Sequence, residues 1–221
     1  MTTFTLPQAR LPRIAVLGAG HVGPVIARVA LEAGYHVSIA ASGDPEQIEL
    51  IAQVLSPGAE PRWAVDAARE ADMVVLAIPL HTFTKLDPTR LSGKLVVDAM
   101  NDWPPVDGVV ELFEDHRSGS SEIVQRRLVG STVVKTLNHI GYHELADERR
   151  PKGSPERRAL GVAGDDPAAV AVVAEFIERI GYDAVQFDRL SAGRLLEPGG
   201  PVFGASLHRS EFERAVRAEA A

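Results

Sequence analysis

Residues 13–44 read RIAVLGAGHVGPVIARVALEAGYHVSIAASGD. The stretch starts with an apolar run, Ile14-Ala15-Val16-Leu17, of the length of a buried strand. Gly18, Gly20 and Gly23 follow in G-x-G-x-x-G spacing, and a helical pattern opens directly after them, with Val22, Ile26, Val29, Ala30 and Ala33 on one face. Gly34 stands where a helix C-terminal cap belongs, and Val37 and Ile39 alternate in a second strand. Glycines at this spacing allow a tight turn, a close approach of backbone to a pyrophosphate, and close packing of helix on strand. The helix start then turns free N–H groups and its positive dipole end toward the phosphates. Glycine-rich turns alone are common. A turn of this spacing between a strand and an amphipathic helix predicts a dinucleotide fold.

Working outward, the same alternation of strands and helices continues. Asp44 and Pro45 read as the start of a helix with Ile48, Ile51, Ala52 and Leu55 on its apolar face, ended by Ser56-Pro57-Gly58. Residues 62–65 read as a short strand and 66–71 as a short helix. Met73-Val74-Val75-Leu76-Ala77 and Leu95-Val96-Val97 suit buried parallel strands. Residues 103–108 form a proline-rich loop, 122–128 a helix and 132–136 the next strand. Beyond Asn138 come a basic loop at 148–153, a strand at 160–163, and a helix started by Asp166-Pro167 and closed by Gly181. A strand at 184–187, a helix at 191–197 and a charged terminal helix at 210–219 complete the chain. The fold class is therefore α/β, a doubly wound Rossmann arrangement with a mainly parallel sheet and a small C-terminal α/β extension. Residues 1–137 are assigned to the dinucleotide domain, and 138–221 to an extension that contributes the acceptor site.

The 221 residues suffice for one sizeable core. A net charge of −7 argues against nucleic acid or an anionic membrane as the main partner. With no cysteine, disulfides, thiolate metal sites and a cysteine nucleophile are excluded. The N-terminal MTTFTLPQARLPR lacks the long apolar segment of a signal peptide, and no run is long enough to span a bilayer, so a cytoplasmic protein is expected.

Ligands of such sheets lie beyond the carboxyl ends of the strands, which directs attention to four places. Around the first glycines, Gly18, Ala19, Gly20, His21, Val22 and Gly23 are candidate cofactor contacts. At the end of the second strand, where NAD-selective folds carry an acid for the ribose hydroxyls, this chain has Ala40-Ala41-Ser42-Gly43 and no acid before Asp44. A small neutral site tolerates a 2′-phosphate, and Ala41 with the Ser42 hydroxyl and nearby amides favours NADP. Ile78 and Pro79 offer an apolar wall to the nicotinamide, and His81 is a further candidate contact. In LNHIGYH, the histidines at 139 and 143 are four apart, which on a helix presents two imidazoles to a metal, yet a third ligand is missing. Asn138, His139 and Ile140 are read instead as a substrate-contact loop, and no metal is assigned. No catalytic side chain is assigned either, because hydride transfer between two bound rings proceeds largely by positioning.

These residues resemble the coenzyme F-420-dependent NADP oxidoreductases, whose acceptor is a deazaflavin. The resemblance rests on RIAVLGAGHVG, on Leu76-Ala77-Ile78-Pro79, on VVKTLNHIG at 133–141, on Ala163-Gly164-Asp165-Asp166, on Ile180-Gly181-Tyr182 and on LSAGRLLE at 190–197. It implies reversible hydride transfer between NADP(H) and the deazaflavin in a homodimer. Gly18, Gly20, His21, Val22 and Gly23 then hold the pyrophosphate and Ser42 the 2′-phosphate. Ile78 and Pro79 line the nicotinamide site, and residues 138–140 stack near the deazaflavin. The chain departs from the family pattern where Ser-Arg is common and Ser42-Gly43 stands here, at Gln186-Phe187-Asp188, and in a longer loop over residues 101–108. Alternatives are an NADPH-dependent reductase of another small acceptor, an imine or a flavin, and a non-catalytic NADPH-binding redox sensor.

Overall fold

Successive residues of a strand point to opposite faces, and in residues 14–17 both sets are apolar. Ile14 and Val16 enter one core cluster, Ala15 and Leu17 another. A strand can be apolar throughout only if both faces are covered, and this one has helices on both sides.

The computed structural model describes residues 10–115 and 117–219; most of the N-terminal stretch read above for a leader lies outside them. In chain order the elements are β1 (Ile14–Leu17), α1 (Val22–Glu32), β2 (Val37–Ala40), α2 (Glu49–Leu55), β3 (Glu60–Pro61), α3 (Ala64–Glu70), β4 (Met73–Leu76), α4 (Leu80–Phe83) and β5 (Leu95–Asp98). They continue with α5 (Pro104–Asp107), α6 (Ser120–Arg127), β6 (Thr132–Lys135), α7 (Tyr142–Asp147), β7 (Ala159–Gly164), α8 (Pro167–Arg179), β8 (Asp183–Phe187) and α9 (Arg209–Glu219).

The strands form one eight-stranded sheet in the order β3-β2-β1-β4-β5-β6-β7-β8. The first six run parallel, β7 pairs antiparallel with β6, and β8 is parallel to β7. The chain moves outward through β2 and β3, then returns to place β4 on the other side of β1. This reversal opens a crevice at the carboxyl ends of β1 and β4. Because β7 runs the other way, its first residues reach the same rim as the ends of β5 and β6. The fold is the doubly wound Rossmann type with a mostly parallel sheet.

Helix boundaries follow local chemistry. Asp44 accepts from Glu46 N and Asp166 accepts from Ala168 N and Ala169 N, each followed by a proline at the first helical position. α1 buries Ile26, Ala27, Val29 and Ala30 against β1 and β2. Each such Ile or Val contributes on the order of 1.5–3 kcal/mol.

Four sequence readings shift. The strand expected at 62–65 is Glu60–Pro61, paired with Ser38 and Ile39, and α3 already begins at Ala64 with Asp66 complementing its first turn. Of the apolar face expected on the second helix, Ile48 just ahead of α2 and Ala52 within it are buried, but Leu55, the last residue of α2, is 45% exposed. The proline-rich loop contains one helical turn, α5, where Pro104 and Pro105 preset the backbone and Gly108, at φ 73°, ends it. Residues Leu190–Leu196 wind as a 3-10 helix.

Candidate functional site

The three glycines do different work. Gly18 has φ 128°, and a Cβ there would lie 2.1 Å from the Ala77 carbonyl oxygen, so this glycine lets β1 pass close to the turn after β4. A Cβ on Gly23 would lie 1.8 Å from the Gly18 carbonyl oxygen, so that glycine lets α1 close onto its own entry loop. At Gly20 a Cβ would meet nothing within 4 Å. Two glycines are demanded by the chain's own packing, and the third faces open space.

That open space lies at the start of α1. Its N-cap, His21, makes no side-chain capping bond, and the first turn carries no acid. The terminal amides of the helix therefore lack protein partners of the usual kind, and the positive end of the helix is not neutralised. This arrangement fits a pyrophosphate.

Strand register gathers the flanking residues. Leu17 pairs with Ala40 on one side and Leu76 on the other, which brings Gly18, Ala41 and Ala77 to one rim. Ala41 is half-buried and Ser42 exposed. Asp44 is occupied with the amide of Glu46 at 3.0 Å. Arg62, at the end of β3, pairs with Glu60 and Glu70, both at 3.0 Å. On the β4 side Ile78 is half-buried, Pro79 is the exposed N-cap of α4, and His81 is exposed on that helix.

Next along the rim, the ends of β5 and β6 carry a cluster; residues 98–101 read from sequence as a strand end bordering the nicotinamide, but the sequence does not reveal their joining to Lys135 and Asn138. Lys135 is wholly buried, with Nζ 3.3 Å from Asp98 Oδ2 and a hydrogen bond to the Met100 carbonyl. Asp98 also accepts Ser121 Oγ at 2.6 Å and Met100 N at 3.0 Å. Glu197 accepts both the amide and the hydroxyl of Ser120 at the start of α6. Asn101 and Asn138 exchange two bonds: Asn101 Nδ2 to the Asn138 carbonyl at 2.8 Å, and Asn138 Nδ2 to Asn101 Oδ1 at 2.9 Å. The visible sign was Lys135 itself, a charge placed directly after the apolar pair Val133 and Val134.

Residues 138–140 are interior. Asn138 donates to the Leu196 carbonyl at 2.6 Å, and all three side chains are buried. His139 Nε2 accepts the Gly161 amide at 3.0 Å, so the ring proton sits on Nδ1, 3.3 Å from Asn138 Oδ1. Burial, with the charges of Arg158 and Lys135, pushes the imidazole down to about 3, and it is neutral. Leu137, at φ 66°, is the strained residue that turns the chain into this segment. The premise of the two-histidine site fails, since His139 precedes α7 and only His143 lies on it. Among the described residues no group of three or more candidate ligands could hold a metal ion. The accessible groups of this segment are Gly141, Tyr142 and His143, and Tyr142 stacks on His21 with centroids 5.6 Å apart and planes at 18°. That stack joins α7 to the glycine loop. Among the described residues no helix is long and apolar enough to cross a membrane.

Residues 13–102 match the family model described as "NADP oxidoreductase coenzyme F420-dependent". The chain thus resembles that family over residues 13–102, as its motifs indicated, and the match supports an NADP oxidoreductase. Among solved structures, "a hypothetical protein SMa0349 from Sinorhizobium meliloti" is similar at 27% identity and TM-score 0.77, over 91% of this chain and 97% of the other. A protein described as "a putative f420 dependent nadp-reductase from arthrobacter sp. fb24" is similar at 26% identity and TM-score 0.72, over 90% of this chain and 100% of the other. An imine reductase from Pseudomonas sp. shares the fold at 18% identity and TM-score 0.55, with 82% of this chain covering 58% of that one. A comparison with curated proteins finds no match.

Proposed function

We propose that this protein is an oxidoreductase that transfers a hydride between NADP(H) and a deazaflavin, coenzyme F-420. The observation that carries the cofactor half is the open space at Gly20 beside an uncapped helix start, next to a β2 end with no acid. The family match over residues 13–102 and the likeness to the Arthrobacter protein support the acceptor half.

In this reading Gly18, Ala19, Gly20, His21, Val22 and Gly23 hold the pyrophosphate, with helix amides donating to its oxygens. Ala41 and Ser42 receive the adenosine 2′-phosphate, and the absence of a carboxylate there removes the repulsion that an NAD-selective site would impose. Ile78 and Pro79 give the nicotinamide an apolar wall, and His81 borders it. When bound, NADPH supplies two electrons with one proton as a hydride, and solvent supplies the second proton of the reduced acceptor. The chain's task is alignment and exclusion of water. The buried pair Asp98 and Lys135 and the neutral His139 fix the far wall. Asn138, His139 and Ile140 act on the acceptor through the backbone they hold in place, their side chains being bonded internally.

The test mixes protein, NADPH and oxidised deazaflavin and follows the visible absorbance of the acceptor. Bleaching that depends on NADPH, with NADH weaker, is expected. No bleaching at saturating concentrations overturns the deazaflavin assignment.

A further inference from the structure

The chain leaving β5 is held firmly at its root. Met100 is tied through its amide to Asp98 and through its carbonyl to Lys135, and Asn101 is bonded twice to Asn138. Two residues later Trp103 caps α5, whose first two residues are prolines with fixed backbone angles. The indole meets Phe203 edge to face, with centroids 5.7 Å apart and planes at 84°. Phe203 is anchored in turn, because the next residue, Gly204, donates its amide to the His139 carbonyl at 3.0 Å. An aromatic pair secured from two sides thus stands on the rim where β5 and β6 end.

This pair is not closed into a core. Trp103 remains 42% exposed, beside exposed Pro104 and Pro105, and Val109 further along the same connection is 72% exposed. A large rigid ring held in place with so much surface open is poorly explained by folding, since apolar surface left in water contributes no burial energy. It is well explained by a flat partner. Aromatic faces stack on conjugated rings in offset or edge-on geometry, a preference that a small imine or ketone cannot satisfy. The rim position puts the indole next in line to the strand ends that border the nicotinamide.

We propose that Trp103, propped by Phe203, is the stacking platform for the planar conjugated ring of the hydride acceptor, and so a residue that selects flat heterocycles over small carbonyl or imine substrates. The inference rests on the reductase reading above.

Because the chain has two tryptophans, Trp63→Phe leaves Trp103 as the sole indole emitter. In that background, oxidised deazaflavin added to the NADP-loaded protein quenches tryptophan emission, whereas in Trp103→Ala, where Trp63 is the sole emitter, the quenching is absent. In steady state, Trp103→Ala raises the acceptor KM by about tenfold, Trp103→Phe by less, and neither changes the KM for NADPH. The unchanged NADPH value also shows that the variants are folded. Turnover of the deazaflavin with an unchanged acceptor KM in Trp103→Ala overturns this inference and leaves the proposed function standing. Quenching at Trp103 without turnover keeps the platform and removes the reaction; neither quenching nor turnover removes both. An unchanged acceptor KM together with a smaller mass in size-exclusion chromatography assigns the patch to contact with a second copy and overturns the platform.

Discussion

Lys135 Nζ lies 3.3 Å from Asp98 Oδ2, with both side chains withdrawn from solvent at the ends of β6 and β5. The two residues are in register across the sheet, so the pair cannot part without separating the strands. Removing one partner strands the other charge in a low-dielectric setting, which costs about 3–5 kcal/mol. Lys135→Met is therefore expected to lower the unfolding free energy in urea by about 3 kcal/mol. The double variant with Asp98→Asn is expected to be less damaged than the sum of the singles, because the unpaired charge is gone. Strict additivity in that cycle would show that the two groups act separately.

The glycines separate folding from binding. Gly18→Ala meets a carbonyl at 2.1 Å in a positive-φ conformation, and Gly23→Ala meets one at 1.8 Å. Both are expected to lose more than about 2 kcal/mol of stability, since backbone cannot yield as a side-chain tip would. Gly20→Ala has free space and keeps its Tm, yet its methyl group enters the open space at the helix start. Its predicted phenotype is an intact fold with NADPH binding weakened by at least about tenfold, read by calorimetric titration. Equal NADPH affinity in Gly20→Ala and wild type would place the pyrophosphate elsewhere.

At the β2 end, Ser42-Gly43 lacks a cation, and Arg62 is engaged with Glu60 and Glu70. A Cβ on Gly43 meets only the Gln47 side-chain tip, at 2.8 Å, so a larger residue needs little more than a shift of that amide. Gly43→Arg is expected to lower the KM for NADPH by about tenfold while leaving NADH unchanged, because a guanidinium–phosphate pair contributes about 1.5–3 kcal/mol. An equal gain for both nucleotides would mean that the new charge does not face the 2′-phosphate.

The parts legible in the sequence are those set by short-range chemistry. Gly18, Gly20 and Gly23 announce their turn by spacing, Asp44 and Asp166 announce helix starts, and the strands buried on both faces appear as unbroken apolar runs. What escaped depends on register between distant segments. Asp98 and Lys135 are 37 residues apart and meet only because β5 and β6 align. Residues 138–140 looked like an accessible loop because nothing local reveals that β7 runs back along the rim and puts the Gly161 amide against His139. The four-residue spacing of His139 and His143 likewise does not reveal that the helix begins after the first of them.

His139 makes the acid response of the fold testable. Its imidazole is pushed from 6.5 to about 3, by burial first and then by Arg158 and Lys135. The unfolded chain takes up a proton near pH 6.5 that the folded chain refuses until about pH 3. The stability tied to the neutral ring is therefore complete above pH 6.5 and is lost as the pH falls through this window. The slope is about 1.4 kcal/mol per pH unit. Between about pH 5 and 6.5 carboxylates of ordinary pKa contribute little, and Glu144, held low by its hydrogen bond to Arg158, titrates lower still. His139→Gln keeps an oxygen acceptor for the Gly161 amide and cannot take up the proton. Wild type is expected to lose about 1.5 kcal/mol more than this variant between about pH 6.5 and pH 5 in matched urea denaturations. Parallel curves for the two proteins would show that the imidazole protonates within the folded chain, and that the bond from Gly161 does not hold it neutral.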